Sequence, residues 1–278
     1  MDLKQILNKA YSDKHAIGGF NFFNYESANA LGQAVKIAKK PAILMVSQKS
    51  IDYYGLDNLV FAFNKVKKES EAQIFLHLDH GTDLELIKEC INSGFDSVMF
   101  DGSNLALDQN IALSKDLRKL AHKKSVVFEA EIGHIGGRED YQVTSDVFKT
   151  NPAEALMFYD QVQPDMLAVA IGNIHGPLTA VEELDFSLLA KIQDTVKRPL
   201  VLHGCSNRKP QEYQVAISEG VVKINIDTEL REAFVDGVKD ALHKKEKDPR
   251  EILNQSSEYI SKRAQEKIEL FAKGCRTR

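Results

Sequence analysis

The chain has 278 residues, 43% hydrophobic and 27% charged, enough for one large core and long for two ordinary domains, so one domain spanning 1–278 is expected. Thirty-six Lys and Arg against forty Asp and Glu, well mixed, give a formal net charge of -4, which argues against nucleic acid or an anionic membrane as partner. Cys90, Cys205 and Cys275 have no paired redox or metal-ligand spacing, the N-terminus has no signal-length apolar stretch, and no later segment approaches ~18 apolar residues; a cytoplasmic, non-exported protein is expected.

Eight short apolar, β-rich runs follow one another along the chain: Ala16–Phe23, Ala42–Ser47, Gln73–Asp79, Ser97–Gly102, Ser125–Ile132, Met166–Gly172, Pro199–Gly204 and Val221–Asp227. Most are nearly continuous in apolar residues, as strands buried on both faces should be. Between them lie segments of helical spacing, among them ESANALGQAVKIAKK, TDLELIKECINSG, LDFSLLAKIQDTVK and PQEYQVAISEG. Strand and helix alternating in this way predict parallel βαβ units, and eight units in this length predict a closed (β/α)8 TIM barrel with additional C-terminal helices. No dinucleotide glycine fingerprint follows the first strand, which disfavours a doubly wound sheet. Residues 133–152, GHIGGREDYQVTSDVFKTNP, form one long connection, to be read as an active-site loop or a plain surface excursion. Two amphipathic helices are predicted after the eighth strand, packed outside the barrel or at a subunit contact.

The C-terminal ends of the strands, where barrel chemistry gathers, are unusually polar. They carry Asn21, Ser47, Asp79 with His80, Asp101, Glu129 with Glu131, Asn173 with His175, His203 with Ser206, and Asn225 with Asp227 and Thr228. Period-two alternation puts His77 with Asp79, Glu129 with Glu131, and Asn225 with Asp227 on inward faces. So many ionisable groups in one mouth are costly unless they pair or bind a ligand. His80, His175 and His203 end different strands, each followed by glycine, and three neutral imidazoles are a standard zinc set with a fourth position open. His15, His77, His122, His134 and His243 read as core or surface residues, His77 standing one pleat below the site. Loops after strands seven and eight, Gly204–Ser206 and Asn225–Thr228, precede a helix N-terminus and make a phosphate pocket, although Asp227 and Thr228 also suit simple N-capping.

Taken together, GGFNFFNYES, HLDHGT, MFDGS, EAEIGHIGGRED, AVAIGNIHG, LHGCS and KINIDTELREAF resemble the class II, zinc-dependent ketose-bisphosphate aldolases over nearly the whole chain. The resemblance implies Asp79 as catalytic acid/base, a Zn2+ ion on His80, His175 and His203, and Asp101 and Glu131 for a second divalent or monovalent cation. It implies Glu139 as a loop carboxylate in proton transfer. Asn21 and Ser47 match substrate contacts, and Gly176, Gly204, Cys205, Ser206, Asn225, Ile226, Asp227 and Thr228 match the phosphate-binding elements. The reaction implied is reversible cleavage of fructose- or tagatose-1,6-bisphosphate to dihydroxyacetone phosphate and an aldehyde, by a dimer or tetramer. The short loop is closer to the tagatose and inositol-catabolic branches, the latter acting on a deoxy-keto-gluconate phosphate. Asn207 stands where the family has glycine, and Asn173 and Ile174 where it has threonine and alanine. Three alternatives remain: a Schiff-base aldolase on Lys223, for which pairing with inward acids is the plainer reading, a metal-dependent hydrolase, and a non-catalytic sugar-phosphate-binding barrel.

Overall fold

The computed structural model describes residues 1–139, 142–144, 148–176 and 183–274, with the backbone alone at 138–139 and 142–144. Eleven strands are described: β1 (Ile17–Asn21), β2 (Ala42–Ser47), β3 (Ile74–Gly81), β4 (Ser97–Phe100), β5 (Val127–Ile132), β6 (Gly136–Glu139), β7 (Gln142–Thr144), β8 (Met166–Val169), β9 (Ile174–His175), β10 (Leu200–Leu202) and β11 (Val221–Ile226). Eight of them close a parallel barrel in the order β1-β11-β10-β8-β5-β4-β3-β2, and each overlaps one of the eight runs expected to be strands.

The connecting helices begin where short polar side chains can cap free N–H groups. Asn24, Asp83, Asn151 and Asp185 accept from the first turns of Tyr25–Ala38, Leu84–Asn92, Pro152–Val162 and Phe186–Val196. The apolar faces of these helices pack on the outward residues of the strands, such as Leu44, Leu76, Leu78, Phe128 and Ala130. Two C-terminal helices, Thr228–His243 and Pro249–Ala272, pack against each other, and the second also packs on Tyr25–Ala38.

Inside the barrel the two ends differ. Ile17, Ile43, Met45, Phe75, Met99, Val127, Met166 and Val201 form a separate apolar cluster, into which the N-terminal helix Leu3–Asp13 inserts Leu3, Ile6, Leu7 and Ala10. Each of Leu3, Ile6 and Leu7 is buried and stabilises this plug by about 1.5–3 kcal/mol. Above it the inward positions turn polar: His77, Asp79, Glu129, Glu131, Lys223 and Asn225 are all buried.

Two connections add to the sequence reading or depart from it. In the stretch 133–152, read from the sequence as an active-site loop or a surface excursion, β6 pairs antiparallel with β7 and parallel with β9, and His134 bridges Phe148. His175 is not at the end of a barrel strand, since β8 stops at Val169 and His175 sits on β9, beside Gly137 of β6. The side chain that turns the chain there is Asn173, fully buried, which accepts from the Ile171 N–H (2.7 Å) and donates to the Val169 carbonyl (3.4 Å).

Candidate functional site

Asp79 and His80 are neighbours on β3, and regular alternation would send them to opposite faces. His80 instead takes a left-handed φ of 46°, and the pairing of β3 with β4 shifts register between Leu78 and Gly81. A bulge of this kind re-aims a side chain. The His80 ring consequently lies 4.7 Å from the ring of His175 and 4.4 Å from that of His203, while Asp79 keeps its inward direction.

His80, His175 and His203 each offer a nitrogen within 4.8 Å of the others, and His80, Asp101 and Glu131 form a second group meeting the same limit, so His80 is shared. The donor chemistry suits a borderline divalent ion: imidazole nitrogens on one side, hard carboxylate oxygens on the other. Burial lowers the His175 pKa to about 3 and holds that of His203 well below its usual range, with the charge of His80 adding in both cases, so these two rings are neutral at pH 7. Burial, then the charge of Asp101, pushes the Glu131 carboxyl well above its ordinary range, and its Oε2 is a buried oxygen with no hydrogen-bond partner among the described residues. An uncompensated acceptor beside three imidazoles is what a cation would satisfy. Asp101 behaves oppositely: burial opposes its ionisation, but the hydrogen bond and charge of His80 outweigh that and hold its pKa low. His80 Nδ1 is 3.1 Å from Asp101 Oδ2 and 3.8 Å from Glu131 Oε2.

The rings are fixed from behind. Glu129 Oε1 lies 2.9 Å from His203 Nε2, and its Oε2 accepts from Lys223 Nζ at 2.8 Å. Lys223 Nζ is also 3.3 Å from His77 Nε2, whose ring bonds Ser97 Oγ through Nδ1 at 2.6 Å. Lys223 is therefore engaged with Glu129, as its plainer sequence reading holds, and its side chain is wholly buried. Asn173 Nδ2 donates to the His203 carbonyl at 3.0 Å, so the residue standing in place of threonine links the segments that carry His175 and His203. Asp79 is held at both oxygens: Asn21 Nδ2 donates to Oδ2 (3.0 Å) and Asn225 Nδ2 to Oδ1 (2.9 Å), while Asn225 Nδ2 is also 3.0 Å from His203 Nδ1. Burial raises the Asp79 pKa, but the charges of His80 and Lys223 and the Asn21 hydrogen bond outweigh it and keep the carboxylate ionised.

A cavity of about 500 Å³ opens over these groups, lined among others by Asn21, Asp79, His175, Gly176, His203, Gly204, Ser206, Asn225, Asp227 and Thr228. Ser47 lines an adjoining groove of about 460 Å³ that shares Asn21, Lys49, Asp227 and Arg231 with it, and Ser47 also N-caps the helix Gln48–Tyr54. The side chains of Cys205 and Ile226 belong to the core between barrel and helices, away from the cavity. Asp227 lies one residue beyond β11 and lines the same cavity as Asn225; at the start of the helix Thr228–His243 it makes no side-chain cap and pairs with Arg231 at 2.6 Å. The three glycines after the histidines serve different ends. At Gly81 a Cβ would stand 2.8 Å from the Met99 carbonyl, so that glycine allows strand packing; at Gly204 it would meet the backbone of Ile174 at 2.6 Å; only Gly176 faces open space among the described residues. The side chain of Glu139 lies outside the described residues, although the backbone of β6 runs beside His175. Lys49 carries no motif that marks it in the sequence, and only the fold brings it to this rim.

A closed parallel barrel with imidazoles and carboxylates gathered in one mouth is the architecture of a barrel enzyme, and comparison with known proteins gives its class. The model of the family described as fructose-bisphosphate aldolase class-II matches residues 1–275. The chain belongs to that family and is a lyase. Among solved structures it is similar to the YdjI aldolase from Escherichia coli K12, at 30% identity and a TM-score of 0.85, over 97% of this chain and 96% of that one. A fructose-1,6-bisphosphate aldolase candidate from Coccidioides immitis matches at 25% identity and a TM-score of 0.90, over 98% and 96%. The fold is shared too with the fructose-bisphosphate aldolase of Campylobacter jejuni, at 23% identity and a TM-score of 0.84, over 99% and 95%. Among the described residues no helix is long and apolar enough to cross a membrane.

Proposed function

We propose that the chain, as one barrel domain, cleaves a ketose 1-phosphate or 1,6-bisphosphate reversibly to dihydroxyacetone phosphate and an aldehyde, with Zn2+ as its resident metal and Asp79 as its acid/base. The observation that carries this reading is the meeting of His80, His175 and His203 nitrogens within 4.8 Å of one another, next to an ionised and doubly hydrogen-bonded Asp79. His80, His175 and His203 would hold the ion, with Asp101 and Glu131 as an alternative or second cation position. When bound, the metal acts as a Lewis acid that polarises the ketone and stabilises negative charge developing on the substrate. Asp79 takes the proton of the C4 hydroxyl; the O–H electrons become the aldehyde C=O bond, the C3–C4 bond breaks, its pair forms a C2=C3 double bond, and the C2 carbonyl π pair moves to the C2 oxygen. Asn21 and Asn225 keep both Asp79 oxygens aimed during this transfer. A carboxylic acid then returns a proton to C3, a role for Glu139 supported by the course of β6 beside His175. The phosphate would rest on Gly176, Gly204, Ser206 and the free N–H groups at the start of Thr228–His243. A homo-oligomer in the cytoplasm accompanies this reading through the family resemblance.

The test is a panel of fructose, tagatose and deoxy-keto-gluconate phosphates assayed for dihydroxyacetone phosphate release, with chelator and with zinc restored. Metal-reversible release from one of them is expected. Cleavage that persists under chelation, with borohydride trapping of substrate on Lys223, would replace the reading with a Schiff-base mechanism; release of inorganic phosphate would replace it with hydrolysis.

A further inference from the structure

The turn Cys205–Asn207 presents Ser206 to the cavity, and its rear is held by groups that do not line that cavity. The Asn207 N–H donates to Glu229 Oε1 at 2.5 Å, the Tyr213 hydroxyl donates to the Cys205 carbonyl at 2.6 Å, and the Arg208 N–H reaches the same hydroxyl at 3.3 Å. Glu229 and Tyr213 are buried, and both lean on the last helix. From Pro249–Ala272, Lys267 places its Nζ 2.8 Å from Glu229 Oε1, 3.2 Å from the Tyr213 oxygen and 4.8 Å from the centroid of that ring, while Arg263 Nη1 is 3.1 Å from Glu229 Oε2.

Charge gives this arrangement a consequence beyond packing. Glu229 stands in the first turn of Thr228–His243, whose N-terminus is suited to an anion. A buried carboxylate in that turn repels a second anion nearby and competes for the N–H groups of the turn unless it is neutralised. Lys267 and Arg263 are the cations that neutralise it.

We infer that Lys267 and Arg263, on a helix outside the barrel, are positioning residues for the anion subsite, acting through Glu229 and Tyr213 to hold the 205–207 turn ready for the phosphate of a sugar monoester. The inference rests on the phosphate-pocket reading above. Neither residue touches the ligand, so the effect falls on ligand affinity rather than on the chemical step.

The experiment measures the Kd of the zinc-loaded protein for inorganic phosphate by calorimetry at fixed ionic strength, with KM and kcat for the ketose phosphate found active. Lys267→Met raises Kd and KM about tenfold, the loss of about one charge-assisted hydrogen bond, with kcat within about twofold of wild type. Lys267→Arg restores both, and Glu229→Gln combined with Lys267→Met recovers most of the phosphate affinity, which a merely structural staple does not do. Should Lys267→Met not fold, Arg263→Met, at a half-exposed position, raises the phosphate Kd in the same direction by a smaller factor. An unchanged Kd in the folded variants overturns the inference while wild-type binding leaves the pocket intact. A wild-type protein that ignores phosphate removes the pocket and the inference together.

Discussion

The proposed metal mouth and the proposed anion rim are a few residues apart, yet they are built from opposite materials. The mouth is made of side chains delivered from β3, β4, β5, β9, β11 and the end of β10, most of them buried and many tied to one another: Asp79 with two asparagines, His203 with Glu129, Glu129 with Lys223. The rim is made of backbone: two glycines with positive φ, a serine, and the start of a helix, held by Glu229, Tyr213 and Lys267 from behind. The first kind of site gains its precision from many mutually satisfied charges, and removal of any one leaves another buried without compensation. The second gains it from chain direction, and tolerates substitution as long as the backbone keeps its course.

That contrast predicts the largest effects in the mouth. Asp79→Ala removes the proton acceptor while leaving the three imidazoles in place, so kcat should fall by about a thousandfold and zinc content, measured by atomic absorption, should stay near one equivalent. Unchanged turnover would take the acid/base role away from Asp79.

Next in size is Lys223→Met. Breaking a buried ion pair by removing one member costs about 3–5 kcal/mol, because Glu129 keeps its charge in a dry place. A lower midpoint in denaturant is expected, with zinc affinity weakened roughly 10–100-fold through the loosened His203, by competition with a chromophoric chelator. Adding Glu129→Gln should return much of the stability. A stability loss in Lys223→Met that the second substitution does not relieve would mean that the pair is not what holds His203.

The mouth should also respond to acid more steeply than the rest of the molecule. His77, His175 and His203 have folded-state pKa values below the ordinary value of about 6.5, burial being the main cause in each case, so the unfolded chain binds protons that the folded chain refuses. Stability is then fully present above pH 6.5 and is lost as pH falls. Glu131, raised by burial, retains a proton in the folded state and opposes one of the three. Three imidazoles against one carboxyl leave a net uptake of protons on unfolding below about pH 6, so stability should fall as pH drops further. Denaturant midpoints of chelated protein at several pH values measure the slope; a flat profile would mean that these rings accept protons in the fold.

How much of this was legible follows from the same contrast. The eight strands were readable because a strand buried on both faces is written in apolar residues alone, as in AILMVS of β2. The mouth was readable because histidine and aspartate at strand ends have few other reasons to be there. Three things were hidden. Adjacency of Asp79 and His80 gives no sign of the bulge that brings both to one site, since the left-handed turn at His80 is a property of strand pairing. His175 was expected at a strand end, and Asn173, whose three hydrogen bonds carry the chain past the barrel, looks like any loop asparagine. Lys267 lies in a helix whose sequence pattern is amphipathic, and nothing local marks a lysine that reaches 38 positions back in the chain to Glu229.

Asn207 gives the mildest test of the rim. It stands where the family has glycine, and its φ of 61° explains why asparagine can replace it: among side-chain residues, asparagine tolerates the left-handed region best. Its side-chain Nδ2 donates to Glu232 Oε2, at the edge of the cavity, in an exposed contact of 3.0 Å, while the backbone N–H makes the Glu229 bond that matters to the turn. Asn207→Gly therefore keeps the backbone bond, loses a solvent-screened contact and relieves a small conformational strain. Stability and phosphate affinity should both stay within about 1 kcal/mol of wild type. Asn207→Val, which cannot take a left-handed φ cheaply, should instead weaken phosphate binding while leaving zinc content unchanged, because it displaces the N–H that Glu229 holds. Equal phosphate affinity in the glycine and valine variants, measured by calorimetry, would show that the path of this turn does not govern anion binding.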